Sequence, residues 1–122
     1  MVRSRKQIGD LGEQIASDWL TQQGYHLIAR NWRCQAGELD IIAAEGDTLL
    51  FLEVRTRTTF TRFGTAEESV DWRKQRQVRQ LAVHYLSTEQ FRYKRFRFDV
   101  IVVYLQRDSE QILQIRHLRN AF

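Results

Sequence analysis

Asp40, Glu53 and Arg55 are the residues whose types and spacing could do chemistry. Glu38–Ala44 (ELDIIAA) and Thr48–Arg55 (TLLFLEVR) read as two strands, separated by Glu45-Gly46-Asp47. Gly46-Asp47 fits a two-residue hairpin turn with glycine first. Such a turn pairs Glu45 with Thr48, and counting back sets Asp40 directly opposite Glu53 and Glu38 opposite Arg55. Period-two alternation puts Asp40, Glu53 and Arg55 on one face. Opposed side chains start only about 4.5–5.5 Å apart, and like charges there repel. A divalent cation reconciles them, because hard ions such as Mg²⁺ bind carboxylates together with substrate phosphate oxygens. The competing reading is a Glu38–Arg55 ion pair with Asp40 capping a loop. A three-residue turn would set Asp40 against Leu52 and spoil the alignment.

Charge is distributed to match. The chain of 122 residues carries 19 Lys+Arg and 15 Asp+Glu, a net +4, with a pI near 9.6 that points mildly toward nucleic acid. Residues 25–54 hold two basic and five acidic side chains, whereas residues 55–97 hold eleven basic and four acidic. An acidic block followed by a basic one suits a polyanion handled through a carboxylate-bound cation. A solvated, arginine-rich helix explains the basic block alone.

These groups must be carried by a folded scaffold. Ile8, Leu11, Ile15 and Trp19 recur at helical spacing, predicting an amphipathic helix over about 4–22. Gly24 is its natural stop. Strands follow at 25–32, 38–44 and 48–55. The last is almost continuously apolar and is expected at the centre of a sheet. A loop over 56–66 leads to a second helix near 69–87, and strands at 96–105 and 111–115 complete the order α-β-β-β-α-β-β. That order predicts a single α/β domain over 1–122, one mixed sheet with helices on it. No apolar run approaches a membrane span, the N-terminal residues lack a signal-peptide core, and Cys34 alone excludes an internal disulfide. A cytoplasmic protein is expected. His26, His84, His117 and Cys34 give no zinc spacing, and Asp99, set among apolar residues, reads as a structural partner. Trp32, Trp72 and Tyr93 suit packing better than base stacking.

The motifs together resemble a known family. Asp40 followed by Glu53-Val54-Arg55 resembles the PD-(D/E)XK pattern of restriction-endonuclease-like nucleases. Gly12-Glu13, Gly37-Glu38-Leu39-Asp40, Phe51 to Arg57, Lys74-Gln75-Arg76 and Arg97-Phe98-Asp99-Val100 resemble the bacterial YraN-like family, regarded as related to archaeal Holliday-junction resolvases. The likeness spans about residues 6–105. It implies a restriction-endonuclease-like fold and Mg²⁺ (or Mn²⁺) held by Asp40 and Glu53, with Glu13 completing the acidic cluster. On a helical wheel Glu13 falls at the edge of the apolar stripe, and Gly9 and Gly12 suggest close approach of that helix to the sheet. The alternative for Glu13 is an exposed acid favoured by the helix dipole.

The nuclease pattern expects lysine where this chain has Arg55. Arginine stays protonated, so it orients and stabilises charge but is a poor base. Lys74 lies on the inward stripe of Val78, Leu81 and Tyr85. It either reaches over the strand face to supply the missing ammonium or snorkels to water. Arg57 either neutralises a phosphate or is a strand-end surface charge, and Arg73, Arg76 and Arg79 either contact a nucleic-acid backbone or solvate their helix. The resemblance implies a metal-dependent endodeoxyribonuclease for branched or structured DNA, acting as a symmetric homodimer with Glu13, Asp40 and Glu53 at its catalytic site, where Arg55, together with Lys74, is expected to orient water and hold the phosphate. The alternatives are a catalytically inactive nucleic-acid- or partner-binding module on the same fold, and a protein directed at RNA.

Overall fold

The computed structural model describes residues 3–58, 70–88 and 93–122. Helix α1 spans Arg5–Gln22. Strands β1 (His26–Cys34), β2 (Gly37–Glu45) and β3 (Thr48–Arg57) follow. Helix α2 covers Trp72–Thr88, and β4 (Arg95–Leu105) and β5 (Ile112–Leu118) complete the sheet. The α-β-β-β-α-β-β order is as expected, with ends displaced by up to three residues. Of the loop expected over 56–66, residues 59–66 lie outside the described residues, as does position 69.

Local chemistry explains the boundaries. Ser4 caps α1 through a reciprocal pair with Gln7, its hydroxyl accepting from the Gln7 N–H while the Gln7 side chain accepts from the Ser4 N–H. Beyond the other end, Gly24 takes φ +94°, a conformation open to glycine at little cost. Asp71 caps α2, its carboxylate accepting from the Lys74 N–H at 2.9 Å. Gly46 takes φ +60° in the two-residue turn between β2 and β3.

The five strands lie in spatial order β1-β2-β3-β4-β5, so apolar β3 is central as its composition required. β3 and β4 run parallel and the other neighbours are antiparallel. One helix covers each face. Ala16 and Leu20 of α1 pack on Ile41, Ala43, Leu50, Leu52, Val54, Ile101 and Val103. Val78, Leu81, Ala82 and Tyr85 of α2 pack on Leu39, Ile42, Leu49 and Phe51. Among the described residues, no helix is long and apolar enough to cross a membrane.

Asp99, fully buried, is structural as expected. It accepts a two-pronged bond from Arg97 (both 2.9 Å), contacts His117 Nε2 at 2.7 Å and accepts from the Asn120 N–H at 2.9 Å. Burial pushes its carboxyl up, but the bonds from His117, Arg97 and Asn120 outweigh that and hold it below the usual carboxylate range. This knot ties β5 and the residues after it to β4.

Of the two glycines expected to bring α1 close to the sheet, Gly12 does so and Gly9 faces open space. A Cβ on Gly12 would overlap the hydroxyl of Thr56 on β3, whereas one on Gly9 meets nothing within 4 Å. Gly12→Ala is therefore expected to cost about 1–3 kcal/mol of stability in urea unfolding. Adding Thr56→Ala should recover part of that loss, and an unchanged midpoint in Gly12→Ala would refute the close approach.

Candidate metal centre

The site begins where the β2–β3 ladder stops. Pairing runs from Glu45–Thr48 to Ile41–Leu52, the register that the two-residue turn demands. Asp40 and Glu53 come next. Beyond the last pair, β2 stays bonded to β1 as far as Gly37–Cys34, and β3 stays bonded to β4 as far as Arg57–Tyr104. In the fork between them Asp40 Oδ2 accepts the Val54 N–H at 2.9 Å, a side chain taking the place of a backbone carbonyl.

Strict alternation fails here. Leu39 and Ile42 both pack on the α2 side, while Ile41 between them faces α1. Across the β1–β2 pairing, Arg30–Ile41 and Trp32–Leu39 flank a step at which Asn31 lies opposite Asp40. Asn31 has φ +50°, a left-handed conformation that asparagine tolerates better than most residues. The expected common face for Asp40, Glu53 and Arg55 is thus corrected. Glu53 continues the α2-facing row of Leu49 and Phe51, and Arg55 follows it by alternation, but Asp40 sits in the fork between the two faces.

Three elements deliver acids to this fork. Glu13 from α1, Glu38 and Asp40 each offer an oxygen, and the three lie within 4.8 Å of one another. Glu53 interacts with Asp40 from the other side. Lys74 reaches inward from α2, its Nζ 3.6 Å from Glu53 Oε2, so the structure gives the inward reading of this lysine rather than the snorkelling one.

Electrostatics mark these carboxyls as poorly solvated. Glu53 is 1 % exposed, and its Oε1 finds no hydrogen-bond donor among the described residues. Burial and then the charge of Asp40 push its carboxyl up to about 7, against the pull of Lys74 and Arg55. Glu13 is pushed up to about 7 by burial and then by Asp40 and Glu38. Burial also raises Asp40, opposed by the Val54 N–H and by Lys74. Arg55 has its Nε buried and likewise without a partner among the described residues.

The remaining basic residues are spread more widely. Arg57 is exposed and donates to the Thr56 carbonyl at 3.1 Å. Arg73 lies over the Trp72 ring at 5.6 Å, and Arg79 lies 5.7 Å from both Phe98 and Phe122. Trp72, Arg76, Arg79 and Val83 are all exposed, on the side of α2 turned away from its buried row of Val78, Leu81 and Tyr85. Of the α2 cations singled out from the sequence, Lys74 is the one placed at the acids.

Sequence reasoning missed two participants. Glu38, read as opposite Arg55, instead ion-pairs with Arg33 across β1–β2 (Nε–Oε2 3.0 Å) and joins the cluster. Its position two residues before Asp40 was the available signal. Asn31 was unmarked. With its amide nitrogen turned to the acids it donates to Glu38 Oε1 at 2.5 Å and to Glu13 Oε2 at 2.9 Å.

The fold and fork define a mixed α/β protein with a cluster of carboxyl groups where two neighbouring strands of its sheet part. The sequence profile of a family described as "Uncharacterised protein family UPF0102" matches residues 12–103, and the chain belongs to that family. It is 42% identical over 122 residues to a UPF0102 protein of Moorella thermoacetica, covering 100% of both chains. It is 44% identical over 115 residues to one from Rhodococcus opacus, covering 94% of this chain and 95% of the relative. A UPF0102 protein of Caldanaerobacter subterraneus subsp. tengcongensis is 36% identical over 119 residues, with 98% of this chain and 97% of the relative covered.

Because Glu13 and Glu53 hold protons up to about 7 rather than 4.5, the folded chain binds protons more tightly than the unfolded one. Without divalent ions, stability contributed by these groups is greatest at low pH and is lost as pH rises from about 4.5 to about 7. Urea unfolding at about pH 5 and about pH 8 should show that fall, and Glu53→Gln should flatten it. Mg²⁺ should restore stability above about pH 7 and do little near pH 5, where it must displace protons. A pH-independent midpoint would contradict the electrostatics described.

Proposed function

We propose that this chain is a Mg²⁺- or Mn²⁺-dependent nuclease-like protein that binds and hydrolyses phosphodiesters in branched or structured DNA. One observation carries the reading: a buried glutamate, Glu53, has an oxygen with no donor among the described residues and stands beside a second carboxylate, Asp40. A buried acceptor left unmatched is costly, and two adjacent anions add repulsion. The donor set is all oxygen, which fits Mg²⁺. Asp40 and Glu53 would hold it, with Glu13 completing the set from α1. When bound, such an ion lowers the pKa of a water and offsets charge on a phosphate.

The chain's own cations supply the rest. Lys74 holds its ammonium against Glu53, where the nuclease pattern would otherwise place the motif lysine. Arg55 holds a phosphate oxygen, a role that suits a guanidinium better than that of a base. Arg57 extends positive charge beyond the fork. Arg73, Arg76 and Arg79 add backbone contacts along α2, whose strength falls steeply with salt and carries no base preference. The preference for branched DNA comes from the resemblance to junction resolvases, and two nicks by two such sites call for a symmetric dimer working in the cytoplasm.

The test is a panel of four-way, flapped, linear and single-stranded DNAs, with RNA as competitor, in Mg²⁺, Mn²⁺ or EDTA. Branched DNA should be cut only with a divalent ion. Asp40→Asn and Glu53→Gln should each lower the rate by more than about 100-fold, the upper end of what losing an outer partner of a metal costs. Lys74→Ala should lower it by about 10–100-fold, and Arg55→Lys should retain it. DNA binding that survives EDTA with no cut product under any condition would instead establish a non-cleaving binding module.

A further inference from the structure

We infer that Asn31 is the positioning residue of the acidic fork, its side-chain amide holding Glu13 of α1 against Glu38 of β2 and so choosing which Glu13 oxygen is presented to a cation. The inference rests on the metal-dependent reading above.

The starting point is backbone geometry. Arg30 and Trp32 pair normally with β2, yet Asn31 between them has φ +50°. A left-handed residue inside a strand is costly for most side chains and calls for a reason. Here the kink falls opposite Asp40, where the alternation of β2 also breaks, and it leaves the amide among the acids. With the amide turned so that its nitrogen rather than its oxygen faces the acids, the orientation in which donors meet acceptors, that nitrogen lies 2.5 Å from Glu38 Oε1 and 2.9 Å from Glu13 Oε2. Both of its N–H groups are used, one for each carboxylate.

The contacts form a directed chain. Arg33 Nε donates to Glu38 Oε2 at 3.0 Å, which anchors Glu38 from the strand edge. Glu38 Oε1 then fixes Asn31, and Asn31 fixes Glu13 Oε2. Glu13 Oε1 takes no part in these contacts, and on this reading it is the oxygen offered to a cation. A neutral amide suits the task because it donates to two carboxyl groups without occupying a cation's seat. Aspartate there would add another negative charge. Glycine would accept the backbone conformation but leave both glutamates without the donor.

The experiment is a double-mutant cycle of Asn31→Gly and Glu13→Gln in the full chain, with Asn31→Asp alongside. Mn²⁺ affinity is read by calorimetry and the unfolding midpoint by urea. Asn31→Gly should weaken Mn²⁺ binding by about 10–100-fold, as expected for losing an outer partner of a metal ligand. In the Glu13→Gln background the same change should cost less than about threefold, since Asn31 acts through Glu13. Asn31→Asp should bind at least as weakly as Asn31→Gly. Additive losses would overturn the inference, and so would tight binding by Asn31→Asp, which would make position 31 a ligand in its own right. Should the unmutated chain bind no Mn²⁺, the metal-dependent reading fails, and the cycle on unfolding midpoints then decides the Asn31–Glu13 link separately. Non-additive midpoints keep that link and additive ones remove it.

Discussion

The bond from the Val54 N–H to Asp40 Oδ2 is the interaction on which the rest of the site depends. A β-ladder that simply continued would bury that N–H against a carbonyl, and the two central strands would remain zipped. By accepting it with a side chain, Asp40 lets β2 leave with β1 and β3 leave with β4 without stranding a donor. The same bond partly offsets the cost of burying a carboxylate there. Repulsion is then concentrated rather than dispersed, because Glu13, Glu38 and Glu53 all converge on the carboxylate that opens the fork.

How the cations are deployed follows from that concentration. α2 is two-sided. Its inner row is apolar except for Lys74, which meets Glu53, while Arg76 and Arg79 stand on the outer side. One helix therefore balances the buried acid with the Lys74 ion pair at 3.6 Å and leaves its exposed arginines to the surface. Arg79 does not extend freely from that surface, since it lies over Phe98 and Phe122 beside β4.

Much of this was legible in the sequence where a local rule governs. A glycine-first turn sets its own register, so the pairing that leads to Asp40 and Glu53 could be counted from Gly46. The apolar run of Thr48–Arg55 marked the central strand, and a helical wheel turned Lys74 inward. What could not be read is where a ladder ends. Alternation assumes that every residue takes its turn, and nothing in Glu38 to Ala44 shows that Asp40 will spend its side chain on a backbone N–H. Glu38 and Asn31 escaped for the same reason, because their roles arise from β1 and β2 bending together. Gly9 and Gly12 looked alike in sequence, and they differ only because Thr56 lies beneath one of them.

The way α1 settles over Thr56 has a further consequence. Glu13 comes from the start of the chain, Asp40 and Glu53 from its middle, and Lys74 from a helix on the opposite layer. No short segment holds all of these residues, so a nascent or partly unfolded polypeptide lacks the cluster. The cluster exists only once the tertiary structure is assembled, with the bare glycine of α1 acting as the gauge that sets how deep the last carboxylate sits over Thr56.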